Sequence, residues 1–328
     1  MQNEAKFIHG LWLLPEMNHR KLSNLLEAFG TFEQAWKRYG DQRNLDKEME
    51  WLWNNDIFLI DRSSKEYPML LMQIPYPPWM LYRKGSSLLC LEKMLAIVGT
   101  RKATENGLEL AHDWSKSFAD AGGTVVSGLA FGVDAAAHRG AIKSTIAVLP
   151  GGLMSIAPRS HIGLAKQILA NGGALISEYP PEKDCRKHHF LERNRIISGL
   201  CKATLVIEAS EKSGALMTAH YALEQNREVW AVPGNPGKIQ SKGCNSLIKV
   251  GAGLIDQGED LLELYGLKGK IFELKQNQQS IMREIEKYPH SIEELMEKLD
   301  QNIVYELPTL ETLGLIRLNN QFKYEKVI

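Results

Sequence analysis

Between residues 94 and 232, short apolar runs alternate with helix-forming stretches, and this alternation constrains the chain more than any other feature. Residues 94–98 (MLAIV), 124–126, 145–149 (TIAVL), 174–177 (ALIS), 203–208 (ATLVIE) and 229–232 (VWAV) are apolar at consecutive positions, as strands buried on both faces are. Helices are predicted near 107–121, 135–143, 162–170 and 215–225. Strands alternating with helices imply a mostly parallel sheet covered on both faces. Nearly every run ends in turn residues: Gly99-Thr100-Arg101, Ser127-Gly128, Pro150-Gly151-Gly152, Ser177-Glu178 and Pro233-Gly234. The carboxyl ends of such strands border one crevice where ligands bind, so these turns are expected to face a common site.

Two zones of different rhythm flank this α/β domain, expected over 71–265. Residues 1 to about 60 show helical periodicity, with Phe7, Leu11, Leu22, Leu25, Phe29, Phe32 and Trp36 on spaced positions, and a small helical domain is expected over 1–70. Pro75, Pro77 and Pro78 exclude a continuing helix and lead to an edge strand at 80–82. Over 270–328 the pattern predicts helices at 280–286, from Ser291 and at 303–313, then a hairpin about Asn319-Asn320, a winged-helix-like order. Ser291 and Glu294 form a capping box at the start of the second of these.

Charge narrows the partners. The 39 Lys and Arg are balanced by 39 Asp and Glu, so a polyanion site has to be a local patch. Cys90, Cys185, Cys201 and Cys244 are far apart and form no C-x-x-C pair, which argues against a zinc site and suits a reducing compartment. The first residues lack a charged segment followed by a long apolar one, and no apolar run is long enough to span a membrane; a cytoplasmic protein without membrane partners is expected.

Several nucleotide chemistries lack their residues. G-x-G-x-x-G is absent, since Gly128 and Gly132 are separated by three residues, and so is the Walker A loop. The Pro150–Gly152 turn resembles the P-G-G-x-G-T-x-x-E loop of lysine-decarboxylase-like phosphoribohydrolases, but Met154, Ser155 and Pro158 stand where Gly, Thr and the acidic Glu belong. A nucleotide-binding or nucleotide-hydrolysing enzyme on this fold is the alternative reading. No catalytic set, cofactor or metal site is expected.

What remains is basic. Arg101 and Lys102 follow the first strand, and "RKHHFLERNR" (186–195) interleaves cations with Phe190. A guanidinium grips phosphate bidentately and an aromatic face stacks on an unpaired base, a combination suited to single-stranded nucleic acid. Glycine turns let the strand approach and are expected to leave amides free for phosphate.

These residues carry a resemblance. "IVGTRKAT" (97–104), "VSGLAFGVDAAAH" (126–138), "ISEYPP" (176–181), "HHFLERNRIISGL" (188–200), "SGALMTAHYALEQNREVWAVPGNP" (213–236) and "GCNSLIKVGA" (243–252) together resemble the DNA processing protein A family, also called Smf, over roughly residues 76–260. The resemblance implies an extended Rossmann-type domain that binds single-stranded DNA, forms a homodimer and passes incoming DNA to the RecA recombinase in natural transformation; it implies no enzyme activity. It places Arg101, Lys187, Phe190 and Arg193 in the pocket, with Gly99, Gly128 and Gly132 lining it. Thr100, Lys102, Arg159, Asn194, Arg195, Ser213 and Gly214 complete the candidate DNA-binding set.

There are departures and competing roles. The N-terminal zone resembles a helix-hairpin-helix, but Glu16 and Asn18 occupy the glycine positions of its phosphate turn, and Ala157-Pro158-Arg159 stands where relatives carry Tyr-Pro. Arg101 could pair with Glu178 or Asp134. Arg193 and Arg195, two apart, cannot share a helix face, so one is expected to be structural, with Glu208 as a possible partner; Arg193 is placed slightly ahead as the DNA contact. Phe190 could equally belong to the core. Asp134 is expected to cap the alanine helix, His138 to be packed and hydrogen-bonded, and Ser213 to cap its own helix; Ser213 and Thr218 could also donate to phosphate. Residues 271–328 carry seven Lys and Arg against ten Asp and Glu, and the third helix there has no cation, so duplex reading is not expected.

Overall fold

The computed structural model describes residues 4–88, 93–268, 275–299 and 301–327. The chain divides into two compact units, Met1–Leu267 and Lys268–Ile328.

The first unit opens with α1 (Glu4–Trp12), α2 (His19–Phe29), α3 (Phe32–Tyr39) and α4 (Leu45–Asn54), followed by β1 (Ile57–Asp61), α5 (Met69–Met72) and β2 (Met80–Gly85). The alternating region runs β3 (Met94–Val98), α6 (Glu105–Asp120), β4 (Thr124–Ser127), α7 (Val133–Gly140), β5 (Thr145–Val148), α8 (Ile162–Ala170), β6 (Ala174–Ser177), α9 (Lys187–Gly199), β7 (Ala203–Val206), α10 (Gly214–Glu224), β8 (Glu228–Ala231), α11 (Lys242–Lys249), β9 (Gly253–Leu254) and α12 (Gly258–Leu264). The nine strands order as β1-β2-β6-β5-β4-β3-β7-β8-β9. From β6 to β9 every described pairing is parallel, whereas β1 and β2 add antiparallel strands at one edge. Residues 57–61, expected within a helical zone, are a strand because the run IFLID places aromatic and β-branched side chains against β2, in register from Ile57↔Lys84 to Asp61↔Met80.

Alternate side chains of each strand serve opposite layers. Ala96 and Val98 pack with Ile196, Ile197 and Leu200 of α9 and Ala215, Ala219 and Ala222 of α10. Leu95 and Ile97 pack with Trp114 and Phe118 of α6 and Val133 and Ala137 of α7. The N-terminal helices use Phe7, Leu11, Leu22, Phe32 and Leu52 to extend a third cluster that reaches Tyr82, Leu149 and Leu175 of the sheet. The order in which strands are added switches from one side of the sheet to the other at β3, whose neighbours are β4 and β7. No described helix is long and apolar enough to cross a membrane. Cys185, Cys201 and Cys244 are free thiols, and Cys90 lies outside the described residues.

The second unit has its own core of Ile281, Ile285, Leu295, Ile303, Leu307, Leu310, Ile316 and Tyr324. It comprises α13 (Gln276–Ile285), α14 (Ile292–Lys298), α15 (Leu307–Thr312) and the hairpin β10 (Ile316–Leu318) with β11 (Tyr324–Lys326). The Ser291/Glu294 capping box is present. The helix predicted over 303–313 is instead a 3-10 turn and then α15, which restarts with Pro308 in its first turn, where a missing amide costs nothing.

Candidate nucleic-acid interface

The crevice at the strand ends is bordered by the loops after β3 and β4 and by one helix, α9. After β3, the Thr100 amide donates to the Glu208 carbonyl (2.7 Å), while the Glu208 carboxylate accepts from the Thr104 amide (2.9 Å) and hydroxyl (2.6 Å). Glu208 therefore closes the gap between β3 and β7 and fixes the start of α6, with Thr104 as its cap. Its carboxylate is committed there, so it is not the partner of Arg195. Arg101 and Lys102 stay exposed beyond this clamp.

After β4, residues 128–132 form a tight loop. The Asp134 carboxylate accepts from the Gly128 (3.1 Å) and Ala130 (3.3 Å) amides, and the Leu129 amide donates to His138 Nε2 (3.3 Å). Asp134 thus lies inside the first turn of α7 and ties the loop; the cap position belongs to Gly132, at φ 74°. A Cβ on Gly132 would meet the Thr100 carbonyl at 2.3 Å, so both backbone angle and space require glycine. The expectation of free loop amides is corrected at Gly128, Leu129 and Ala130; among the described residues, the Phe131 and Gly132 amides make no hydrogen bond. His138 is packed as expected, its Nδ1 2.7 Å from Thr145 Oγ1. Burial, reinforced by Arg193, lowers its pKa to about 3.

After β5, the Pro150–Gly152 turn faces no ligand space. The Gly152 and Met154 amides donate to the Lys183 and Pro181 carbonyls (both 2.8 Å), and the Pro180 and Pro181 carbonyls lie 2.1 Å from where a Gly152 Cβ would be. This turn is consequently removed from the common site, covered by the segment that leads into α9. Arg159 remains exposed in the next 3-10 turn.

The first turns of α9 cross these loops and present different residues to two sides. Lys187 is exposed at its start, and Phe190, half-buried, carries the Arg101 guanidinium 5.1 Å from its ring centroid. Arg101 forms no ion pair with Glu178 or Asp134 among the described residues. Arg193 is buried, donating from Nη1 to the Val148 carbonyl (2.9 Å) and abutting Gly128. Burial lowers its pKa to about 10 against the pull of Asp134, and it stays charged at neutral pH. Burial likewise pushes the Asp134 carboxyl above its ordinary range, opposed by Arg193. Asn194 Nδ2 reaches the Gly214 carbonyl (3.3 Å), which brings in α10 with Ser213 as its cap. Gly214 is exposed, with no atom within 4 Å of a Cβ position, whereas Thr218 is buried.

Arg195 points to the other side. Its Nη2 donates to both Glu178 oxygens (2.6 and 2.8 Å), and His19 of α2 closes on the same carboxylate. Burial alone would raise the Glu178 carboxyl, but Arg195 and His19 outweigh it and bring its pKa to about 2. This trio borders a cavity of about 800 Å³ lined by Trp12, Tyr76, Tyr179, Arg186 and His189 among others. At the phosphate turn expected of a helix-hairpin-helix, Glu16 keeps a left-handed φ of 58° and Asn18 caps α2 through the Lys21 amide (2.9 Å).

The geometry therefore brings together Gly99, Thr100, Arg101, Gly132 and Phe190 at the strand ends, with Lys102 and Lys187 exposed beside them and Ser213 and Gly214 joined through the buried Asn194. Gly128 and Arg193 lie buried beneath them, and Arg195 faces away. Two features escape sequence reading: the His19–Glu178–Arg195 cluster, whose members are far apart in the chain, and Phe131, a 47% exposed aromatic between two glycines. The second had a visible signal, an apolar ring in a loop too short to bury it.

Comparison with known proteins follows the same line. The family model for DNA recombination-mediator protein A matches residues 58–266. The chain is 43% identical over 205 residues to DNA processing protein DprA of Bacillus subtilis (strain 168), covering 61% of this chain and 69% of that protein. It is 40% identical over 225 residues to protein Smf of Escherichia coli (strain K12), covering 68% of this chain and 60% of that one. Its fold matches DNA processing protein A from Streptococcus pneumoniae with a TM-score of 0.64 and 29% identity, covering 81% of this chain and 97% of that one. The Helicobacter pylori protein, solved for its single-stranded DNA binding mode, matches with a TM-score of 0.59 and 28% identity over 63% of this chain and 94% of that one.

Proposed function

Because the chain belongs to the DNA recombination-mediator protein A family, we propose that it binds single-stranded DNA across the ends of β3 and β4 and delivers the strand to the RecA recombinase in natural transformation. The observation that carries the reading is the exposed Arg101 guanidinium over the Phe190 ring at 5.1 Å, at the strand ends of a chain of zero net charge. In this arrangement Arg101 supplies the phosphate contact and, once drawn aside by it, leaves the Phe190 face to an unpaired base. A duplex offers no free base face to that ring. Lys187 and Lys102, exposed beside Phe190 and Arg101, serve as further phosphate contacts.

The chain acts as a homodimer in this reading. Met217 and Leu223 of α10 and Ile239 and Val250 beside α11 are apolar and exposed, which suits self-association. The second unit, with its acidic balance, serves protein contact rather than DNA reading.

The test is titration of labelled oligo-dT with wild type and Arg101→Ala at two salt concentrations. Wild type is expected to bind, more weakly as salt rises, and the variant to bind less tightly with a shallower salt dependence. Equal affinity of both proteins would remove Arg101 from the site. Nucleation of RecA on the bound strand, compared with and without the protein, tests delivery, and sedimentation at micromolar concentration tests the dimer.

A further inference from the structure

Phe131 is the residue that the 128–132 loop is built to display. Leu129 is fully buried at φ 56°, Gly132 turns at φ 74°, and Asp134 and His138 hold the Gly128, Leu129 and Ala130 amides. Leu129's carbonyl also accepts from His161 Nδ1 (2.8 Å), and the His161 ring backs Phe131 edge-on with centroids 4.8 Å apart. A loop pinned at this many points has little freedom to fold the aromatic away, and the ring stays 47% exposed.

Its surroundings repeat those of Phe190. Gly132 abuts Arg101, whose Cα would lie 3.0 Å from a Cβ there, so Arg101 connects the loop bearing Phe131 to the helix bearing Phe190. Arg159 is exposed two residues before His161. The unbonded Phe131 and Gly132 amides add two donors for a phosphate oxygen. Because α7 and α9 cover opposite faces of the sheet, the two rings belong to opposite lips of the crevice.

We propose that Phe131 is a second base-stacking platform, so that the crevice grips one strand through two unpaired bases with Arg101 on the phosphates between them. This rests on the reading of the crevice as a single-strand site. The Phe131 ring contributes stacking and no charge, so it acts on affinity without altering the number of phosphates neutralised.

The experiment compares wild type, Phe131→Ala and Phe131→Trp on oligo-dT and on an abasic oligonucleotide of equal length. Phe131→Ala is expected to bind oligo-dT about fivefold to a hundredfold more weakly with an unchanged salt slope. It should match wild type on the abasic strand, and Phe131→Trp should retain affinity on both. Equal affinity of Phe131→Ala and wild type for oligo-dT would overturn the platform alone. Equal losses on both strands would also overturn it, because they would trace to loop geometry. Failure of wild type to bind either strand would remove the single-strand reading itself, and the platform with it.

Discussion

The guanidinium of Arg193 fills the place where a side chain on Gly128 would begin: a Cβ built there would lie 1.6 Å from Nη1. That nitrogen is held by the Val148 carbonyl at 2.9 Å, so it cannot move aside without losing a buried partner. Gly128→Ala is therefore expected to destabilise the protein by about 1–3 kcal/mol through overpacking. Urea denaturation reads this directly, and an unchanged midpoint would mean that Arg193 has another place to go.

Lys102 and Lys187 are exposed beside Arg101 and Phe190. Replacing either with alanine is expected to weaken oligonucleotide binding equally for every base composition and to reduce the steepness of the salt dependence by about 0.7. Fluorescence titration over a salt series checks both features. A change that depended on the base would assign these lysines a different contact.

Glu178 is 4% exposed and owes its ionised state to Arg195 and His19. Arg195→Ala leaves that carboxylate buried without its main partner and is expected to cost about 3–5 kcal/mol of stability. Because Arg195 faces the 800 Å³ cavity and is turned away from Arg101, oligo-dT affinity of the folded variant should change far less than it does in Arg101→Ala. The reverse order of effects would move the DNA path to the cavity.

Acid should weaken the fold in two stages. The His138 pKa in the folded chain is about 3, below its ordinary 6.5, so the unfolded chain takes up the proton first and stability falls as pH drops from 6.5 toward 3. Glu178, at about 2 instead of 4.5, stabilises above pH 4.5, and its contribution is lost between 4.5 and 2. Thermal unfolding between pH 7 and 3, with His138→Gln as comparison, should show the upper stage flattened in the variant. An identical slope in the two proteins would assign the upper stage to other groups.

The sheet was legible because strands buried on both faces have no polar positions to obscure them, and Gly99-Thr100-Arg101 followed one such run directly. Arg101 and Phe190 were legible as chemistry, since a cation and an aromatic suggest a ligand wherever they are placed. Which of Arg193 and Arg195 lay inward was not, because it depends on the rotation of α9, set by Ile196, Ile197 and Leu200 against the sheet. The loop amides misled for a related reason. Glycine at 128 looked like room for phosphate, but the room is taken by Arg193 and the donors by Asp134, contacts that exist only after α7 and α9 have packed. Pro150–Gly152 was likewise obscured by a segment some 30 residues later.

The sheet is open, and its last strand, β9, has two residues, Gly253 and Leu254. So short a border offers too few unpaired amides and carbonyls to seed a ladder with another chain. Growth of the sheet by strand addition stops at this side, and copies of the protein that meet there do so through side chains, leaving the hydrogen-bonded backbone of each as it was.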